Sequence, residues 1–376
     1  MRKLNRQALS KALNALFIVG TFAAVVYFAF QSGDVTQIGQ ALHAVNPWWL
    51  LGALGCFVLH AFFEGAIVHV FFRFQHVNAR LGSSILVGLI GMYYSAITPA
   101  ATGGQPMQVY AFKKRGVPPG IASSALAVKF FCWQSALLLM GGLLWAIFPE
   151  VVANTLKQGV WFLGVGFFAN GVAVVLVILL AVSRNVVRAI LIFMVKLAHK
   201  VRIVKDVAQT SSKWDAALMD FHASVDLLTG HPFQFLVLFL MSALQVTALM
   251  SAVYFVYRGF GLSQAPYIHL FTIQLMLHIA ASFTPLPGAS GAQEGGFYLF
   301  FGNFFPSDII FAALLVWRFV TYYASILAGF AAVLMDGAYG LTGKKAVKAA
   351  LEAARANQEA QEELPSSQSD DADEST

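Results

Sequence analysis

The chain has 376 residues, of which 58% are hydrophobic and 11% charged, with a formal net charge of +6. Soluble domains carry about a quarter charged residues, so this composition excludes an ordinary soluble protein and points to one embedded in a membrane. The two cysteines, Cys56 and Cys132, lie inside apolar stretches and read as packing residues rather than a disulfide or metal pair.

In chain order, a basic start (Arg2, Lys3, Arg6, Lys11) leads into an apolar run at 13–30. That run ends in FAFQSG without a small-x-small cleavage site, which predicts an uncleaved anchor after a short cytoplasmic segment, 1–12. Further apolar stretches lie at about 48–72, 121–148, 160–183, 233–257 and 308–336. Each reaches or approaches the roughly 20 residues needed to cross about 30 Å of hydrocarbon. Trp48, Trp49 and Trp161 sit where interfacial anchors belong.

Two further segments look like copies of one another. Residues 95–112 read SAITPAATGGQPMQVYAF and residues 282–300 read SFTPLPGASGAQEGGFYLF. Thr98-Pro99 matches Thr284-Pro285 at an offset of 186, while Gly103, Gln105, Tyr110 and Phe112 match Gly291, Gln293, Tyr298 and Phe300 at 188. In each, Thr-Pro stops an apolar helix and small residues precede a polar group and Tyr-x-Phe. Paired Gly/Pro-interrupted segments in two halves of a membrane protein point to a binding site.

Charge decides how these segments fold. Residues 84–97 supply about 21 Å of helix at 1.5 Å per residue, too short to span comfortably. If both interrupted segments crossed the membrane, the loops 98–120 and 184–232 would lie outside with Lys113, Lys114, Arg115 and seven more cations. That violates the positive-inside bias. If 84–112 and 267–305 are instead re-entrant hairpins from opposite faces, 20 of the 24 Lys and Arg fall inside. The expected fold is therefore an all-α integral membrane protein of about six transmembrane helices plus two re-entrant hairpins in an inverted-topology repeat. Irregular backbone at membrane depth must be covered by protein or line a cavity, so the hairpins should face each other within the membrane domain, 13–336.

The remaining segments are polar. Residues 184–231 read as a cytoplasmic helical connection with an amphipathic stripe of Trp214, Leu218, Phe221, Val225 and Leu228. It is suited either to anionic headgroups or to the ends of the bundle. Residues 337–376 read as a basic, then acidic, disordered cytoplasmic tail. No segment is large enough to suggest a separate catalytic domain.

Four charges fall clearly inside the apolar zone: Glu64, Lys129, Glu294 and Arg318. Each costs about 2.5–3.5 kcal/mol to insert, which makes it a functional candidate. Two readings remain open and compatible. The four form internal ion pairs that hold the bundle together, or the cations join half-helix N-termini in an anion site. The substrate-binding candidates are Arg318, Lys129, Glu294, Glu64, Gln293, Gly288, Gly291, Thr284, Gly103, Gly104, Gln105 and Thr98. His60 and Glu64 have a metal-compatible spacing but lack an HExxH motif and a third ligand. PGASG lacks the Lys-Ser/Thr ending of a phosphate-cradling ATPase loop, and no triad accompanies Ser290. No metal, cofactor or catalytic residue is expected.

The segments TPAATGGQPMQVYAFKKRGV and TPLPGASGAQEGGFYLFF, with WRFVTYY at 317–323, resemble the lysylphosphatidylglycerol synthase transmembrane-region family over roughly residues 10–336. Many relatives carry an acidic residue and an arginine where this chain has Gln105 and Gln108. The second hairpin, with Pro287, Gly288, Gly291 and Glu294, keeps the family pattern better. The resemblance implies a flippase-like domain in the cell membrane that translocates or binds an anionic or aminoacylated phospholipid such as lysylphosphatidylglycerol. As the alternative, it raises phosphatidylglycerol lysyltransferase activity, or a subunit role in cationic-lipid synthesis and antimicrobial-peptide resistance. In bifunctional relatives a separate cytoplasmic domain performs the transfer, so the membrane portion by itself is not expected to. A separate aminoacyl-lipid synthase is the implied partner, with no nucleic acid bound directly; a non-transporting assembly role is the third reading.

Overall fold

The computed structural model describes residues 35–156, 160–183, 218–219, 221–226, 230–282 and 284–337. Every regular element among them is helical. After α1 (Val35–His43), α2 (Pro47–Phe74) leads to a broken pair, α3 (Leu81–Ile97) and α4 (Gly104–Lys114). Then come α5 (Pro119–Ile147), the short α6 (Pro149–Leu156) and α7 (Val160–Val182). The second half runs α8 (Pro232–Gly259), the broken pair α9 (Tyr267–Ala281) and α10 (Ala292–Phe301), and α11 (Ile310–Gly337).

Among the described residues, five helices, α2, α5, α7, α8 and α11, are long and apolar enough to cross a membrane. They coincide with five of the predicted spans. The sixth, at 13–30, lies outside the described residues, as do the tail beyond 337 and most of the 184–231 connection. Within that connection Val225 is buried, and Ser224 O accepts a hydrogen bond from Gln75 Nε2 at 3.1 Å. Residues 221–226 therefore pack at the end of α2. Phe330 closes one compact unit; of the next, Ala331–Thr376, residues 331–337 are described and helical.

The long helices begin where local chemistry dictates. Asn46 caps α2, its side chain accepting from the Trp48 N–H at 3.0 Å, and Pro47 follows at the first helical position. There proline's missing N–H costs nothing. The Asn46 N–H in turn donates to Gly259 O at the end of α8, 2.9 Å away, tying together two helices that pack along their lengths. Between α2 and α3 the backbones themselves touch. A side chain at Gly65 would collide with the backbone of Ser84 and Ile85, and one at Gly88 would meet Gly65 N at 3.1 Å. Small residues at such a crossing supply packing that hydrophobicity cannot provide between helices in lipid.

Outward faces are apolar, as a lipid-facing surface requires: Leu139, Leu143, Phe168 and Val175 are all exposed. Inside, two apolar clusters form, one beneath each broken pair. Phe112 of α4 stands edge-on to Phe72 with centroids 4.9 Å apart. Phe297 of α10 lies 5.0 Å from Trp317 and 4.8 Å from Phe301. Phe112 and its copy Phe300 are both 2% exposed, while Tyr110 and Tyr298 both face outward.

The broken pairs are two copies of one turn. In each, the helices pack against one another, so the chain folds back. Thr98 and Leu286 are extended ahead of Pro99 and Pro287, as the residue before proline must be. Single 3₁₀ turns follow at Pro99–Ala101 and Pro287–Ala289. Ala100 (φ 50°) matches Gly288 (φ 61°), and Ala101 (φ 55°) matches Ala289 (φ 51°), all left-handed. Thr102 Oγ1 donates to Pro99 O at 2.9 Å, and Ser290 Oγ donates to Pro287 O at 2.8 Å.

The structural offset is thus 188 through the turn as well. Pro99 pairs with Pro287, not with Pro285 as the Thr-Pro match suggested. The second linker between helix end and turn is longer, so the Thr284-Pro285 motif falls ahead of the turn. α3 also begins three residues before the expected 84, at Leu81, giving 17 residues or about 25 Å of helix, still shorter than a span.

Candidate functional site

The four buried charges segregate into two nodes, each joining a cation to a carboxylate. In the first, Lys129 of α5 forms an ion pair with Glu64 of α2, and both side chains are mostly buried. Glu64 Oε1 also accepts from Gln108 Nε2 of α4 at 3.2 Å, and Oε2 accepts from Gln245 Nε2 of α8 at 2.9 Å. Four elements therefore converge on one carboxylate. Its several donors replace the water it lost, which is what makes a charge tolerable at such depth.

In the second node, Arg318 of α11 meets Glu294 of α10. Nε lies 2.7 Å and Nη2 lies 2.6 Å from Glu294 Oε1. Nη2 also donates to Gly288 O at 3.1 Å. The other carboxylate oxygen, Oε2, accepts the Gly291 N–H at 2.6 Å, so Glu294 caps the first turn of α10 while holding the guanidinium. A wider π-helical turn, Phe319–Tyr323, begins directly after Arg318. Such turns break the regular hydrogen-bond ladder and recur at functional sites. On it, the Tyr322 ring lies under the guanidinium, 4.6 Å from centroid to Cζ, within cation–π range.

The second node sits where the two turns meet. The Ala100 N–H donates to Pro285 O at 3.1 Å, joining one tip to the other. Tyr322 O–H donates to Ala96 O at 3.0 Å, tying α11 to the first broken pair. Gly288 is required here twice over. Its φ of +61° is strained for a side-chain-bearing residue, and a Cβ would press into the Tyr322 ring.

Of the residues picked from sequence, Arg318, Glu294, Gly288 and Gly291 come together in this second node. Lys129 and Glu64 form the first node instead. Gln293 is buried next to Glu294 in sequence, and its Oε1 has no partner among the described residues. Thr98 closes the first turn, donating to Tyr94 O at 2.6 Å and accepting the Gly103 N–H at 2.9 Å. Gly104 is buried where a side chain would strike Ser95 Oγ. Thr284 is half-buried on the longer linker, with its N–H donating to Ala281 O at 3.1 Å. Gln105 is exposed and joins neither node. His60 lies one turn before Glu64, its Nδ1 3.5 Å from Gln245 O.

Three participants were missed. Gln245 is an amide at the centre of the apolar α8, a visible signal. Gln108 is the buried polar face of α4, readable from its place three residues after Gln105. Tyr322 falls within WRFVTYY at 317–323, but nothing in the sequence singles it out over Tyr323 beside it. A separate buried bridge is structural: Gln134 Nε2 donates to Asn170 Oδ1 at 2.7 Å, and Asn170 Nδ2 donates to Ile279 O at 3.2 Å. It binds α5, α7 and α9 together.

Long apolar helices around a buried, ion-paired junction of two broken pairs define an all-α integral membrane protein. The family model described as the lysylphosphatidylglycerol synthase TM region matches residues 13–329, and the chain belongs to that family. It is also similar to a UPF0104 membrane protein of Archaeoglobus fulgidus (strain ATCC 49558), 26% identical over 249 residues, which covers 65% of this chain and 74% of the relative.

Proposed function

We propose that the protein handles a phosphate-bearing lipid at the junction of its two hairpins. The lipid is an anionic or aminoacylated phospholipid such as phosphatidylglycerol or its lysyl ester, moved between leaflets or held there. In this reading six spans cross the cell membrane, the hairpins enter from opposite faces, and the ends of this sequence lie in the cytoplasm. The observation that carries the reading is Arg318. It is a buried guanidinium held by one carboxylate and one backbone carbonyl, directly beneath the turn where both hairpin tips meet.

A guanidinium binds a phosphate through the same fork by which it binds a carboxylate. Glu294 therefore acts as a placeholder that a lipid phosphate displaces, while the acyl tails stay in the bilayer. The family's name supports a lipid role and leaves aminoacyl transfer to a partner synthase as a separate proposal.

Native mass spectrometry with phosphatidylglycerol, its lysyl ester and phosphatidylcholine tests the placeholder. Arg318→Gln should weaken retention of the phosphatidylglycerols about tenfold, the worth of one charge-assisted bond. Glu294→Gln should retain them more tightly, because the competing carboxylate is gone. If both variants weaken retention equally, the pair is only structural and the proposal fails.

A further inference from the structure

A cavity of about 220 Å³ opens at the other end of the first hairpin, well away from the tips. Its rim is Asn78, Arg80, Ser83 and Arg115, and its floor includes Phe112 and Val117. Arg80 ends the α2–α3 loop, and Arg115 follows the last turn of α4, which already carries Lys113 and Lys114. The lining contains two guanidiniums, a hydroxyl and an amide, and no acidic residue. Arg115 is positioned by donating from Nη1 to Ala111 O at 2.9 Å. The first helical bond of α3 runs from the Ser84 N–H to Arg80 O at 3.1 Å, so the amides of its opening turn precede the hydrogen-bond ladder.

We propose that this cavity is a second, independent anion site that takes a phosphate group. Its volume lies below the roughly 300–1,000 Å³ of pockets that enclose whole drug-sized ligands, which suits a headgroup better than an entire lipid. Arg80 can fork onto phosphate oxygens, Arg115 adds its positive charge, and Ser83 and Asn78 can donate to the remainder. The end of the hairpin that carries Arg80, Lys113, Lys114 and Arg115 presents the kind of basic cluster that meets anionic headgroups. The phosphate comes either from a phospholipid of the adjoining leaflet or from a soluble phosphate ester.

Photo-crosslinking on the whole protein in phosphatidylcholine nanodiscs separates these cases. The probe is phosphatidylglycerol with a diazirine on its headgroup, and adducts are mapped by peptide mass spectrometry. Adducts are expected within 77–83 and 112–117, reduced about tenfold in the Arg80→Gln/Arg115→Gln double variant. Arg258→Gln, at the residue seated over Trp49 on α2, should leave them unchanged. Competition by millimolar inorganic phosphate would extend the site to soluble anions, and its failure would assign the site to the lipid ester; both outcomes keep the anion site. No adducts in these two segments, or adducts undiminished in the double variant, would overturn the proposal. Adducts at 284–294 report the Arg318 junction separately, so failure at one place is distinguishable from failure at the other.

Discussion

Removing Lys129 should expose how the first node is held. Lys129→Met keeps a long, flexible side chain in α5 but takes the cation from Glu64, whose side chain is only 16% exposed. The carboxylate keeps two amide donors, Gln108 at 3.2 Å and Gln245 at 2.9 Å, so it is left uncharged-paired but not bare. Breaking one partner of a buried pair costs about 3–5 kcal/mol, and the two amides place this case toward the lower end, near 3 kcal/mol. Adding Glu64→Gln removes the stranded charge, so the double variant should be about 2 kcal/mol more stable than Lys129→Met alone, and the coupling is that recovery plus the cost of Glu64→Gln by itself. Equilibrium unfolding in mixed micelles of the wild type, both singles and the double gives the full cycle. A Lys129→Met cost below about 1 kcal/mol, or a coupling near zero, would refute the claim that this pair secures the bundle.

Other predictions follow from single positions. Gly288→Ala adds strain at φ +61° and a Cβ against the Tyr322 ring, and should cost about 2 kcal/mol in the same unfolding assay. Gly295→Ala is its control: it lies inside α10 with nothing within 4 Å of the added Cβ, and should stabilise by up to about 1 kcal/mol. Gly65→Leu forces the α2 and α3 backbones apart and should abolish folded expression, read as loss of a monodisperse peak in gel filtration. Tyr322→Phe keeps the ring beneath Arg318 but loses the bond to Ala96 O, a cost of about 1 kcal/mol in thermal unfolding.

The spans were legible because lipid imposes one rule, an uninterrupted apolar stretch of sufficient length, and α2, α5, α7, α8 and α11 obey it. The paired turns were legible because proline and small residues leave a literal mark, from Pro99 to Gly103 and from Pro287 to Gly291. Their register was partly hidden. A repeated Thr-Pro dipeptide drew the match to Pro285, whereas the backbone conformation falls on Pro287. Choosing which cation meets which carboxylate lay beyond the sequence. Lys129 and Arg318 occupy comparable places in α5 and α11, yet Glu64 comes from a span and Glu294 from a half-helix, and only packing sorts them. Tyr322 was missed for the same reason, since its role exists only across elements far apart in the chain; Gln245 was visible as an amide inside an apolar span, but its partner was not.

The measurement that bears most directly on lipid handling is leaflet movement in proteoliposomes. It would follow fluorescent phosphatidylglycerol, with and without a lysyl headgroup, for the wild type, Arg318→Gln and Glu294→Gln. Movement is expected with the wild type, with loss in Arg318→Gln because the phosphate has no anchor, and loss in Glu294→Gln because nothing retakes Arg318 to release the lipid. Folded wild-type protein that moves neither lipid, or variants that move both as fast as the wild type, would contradict this reading.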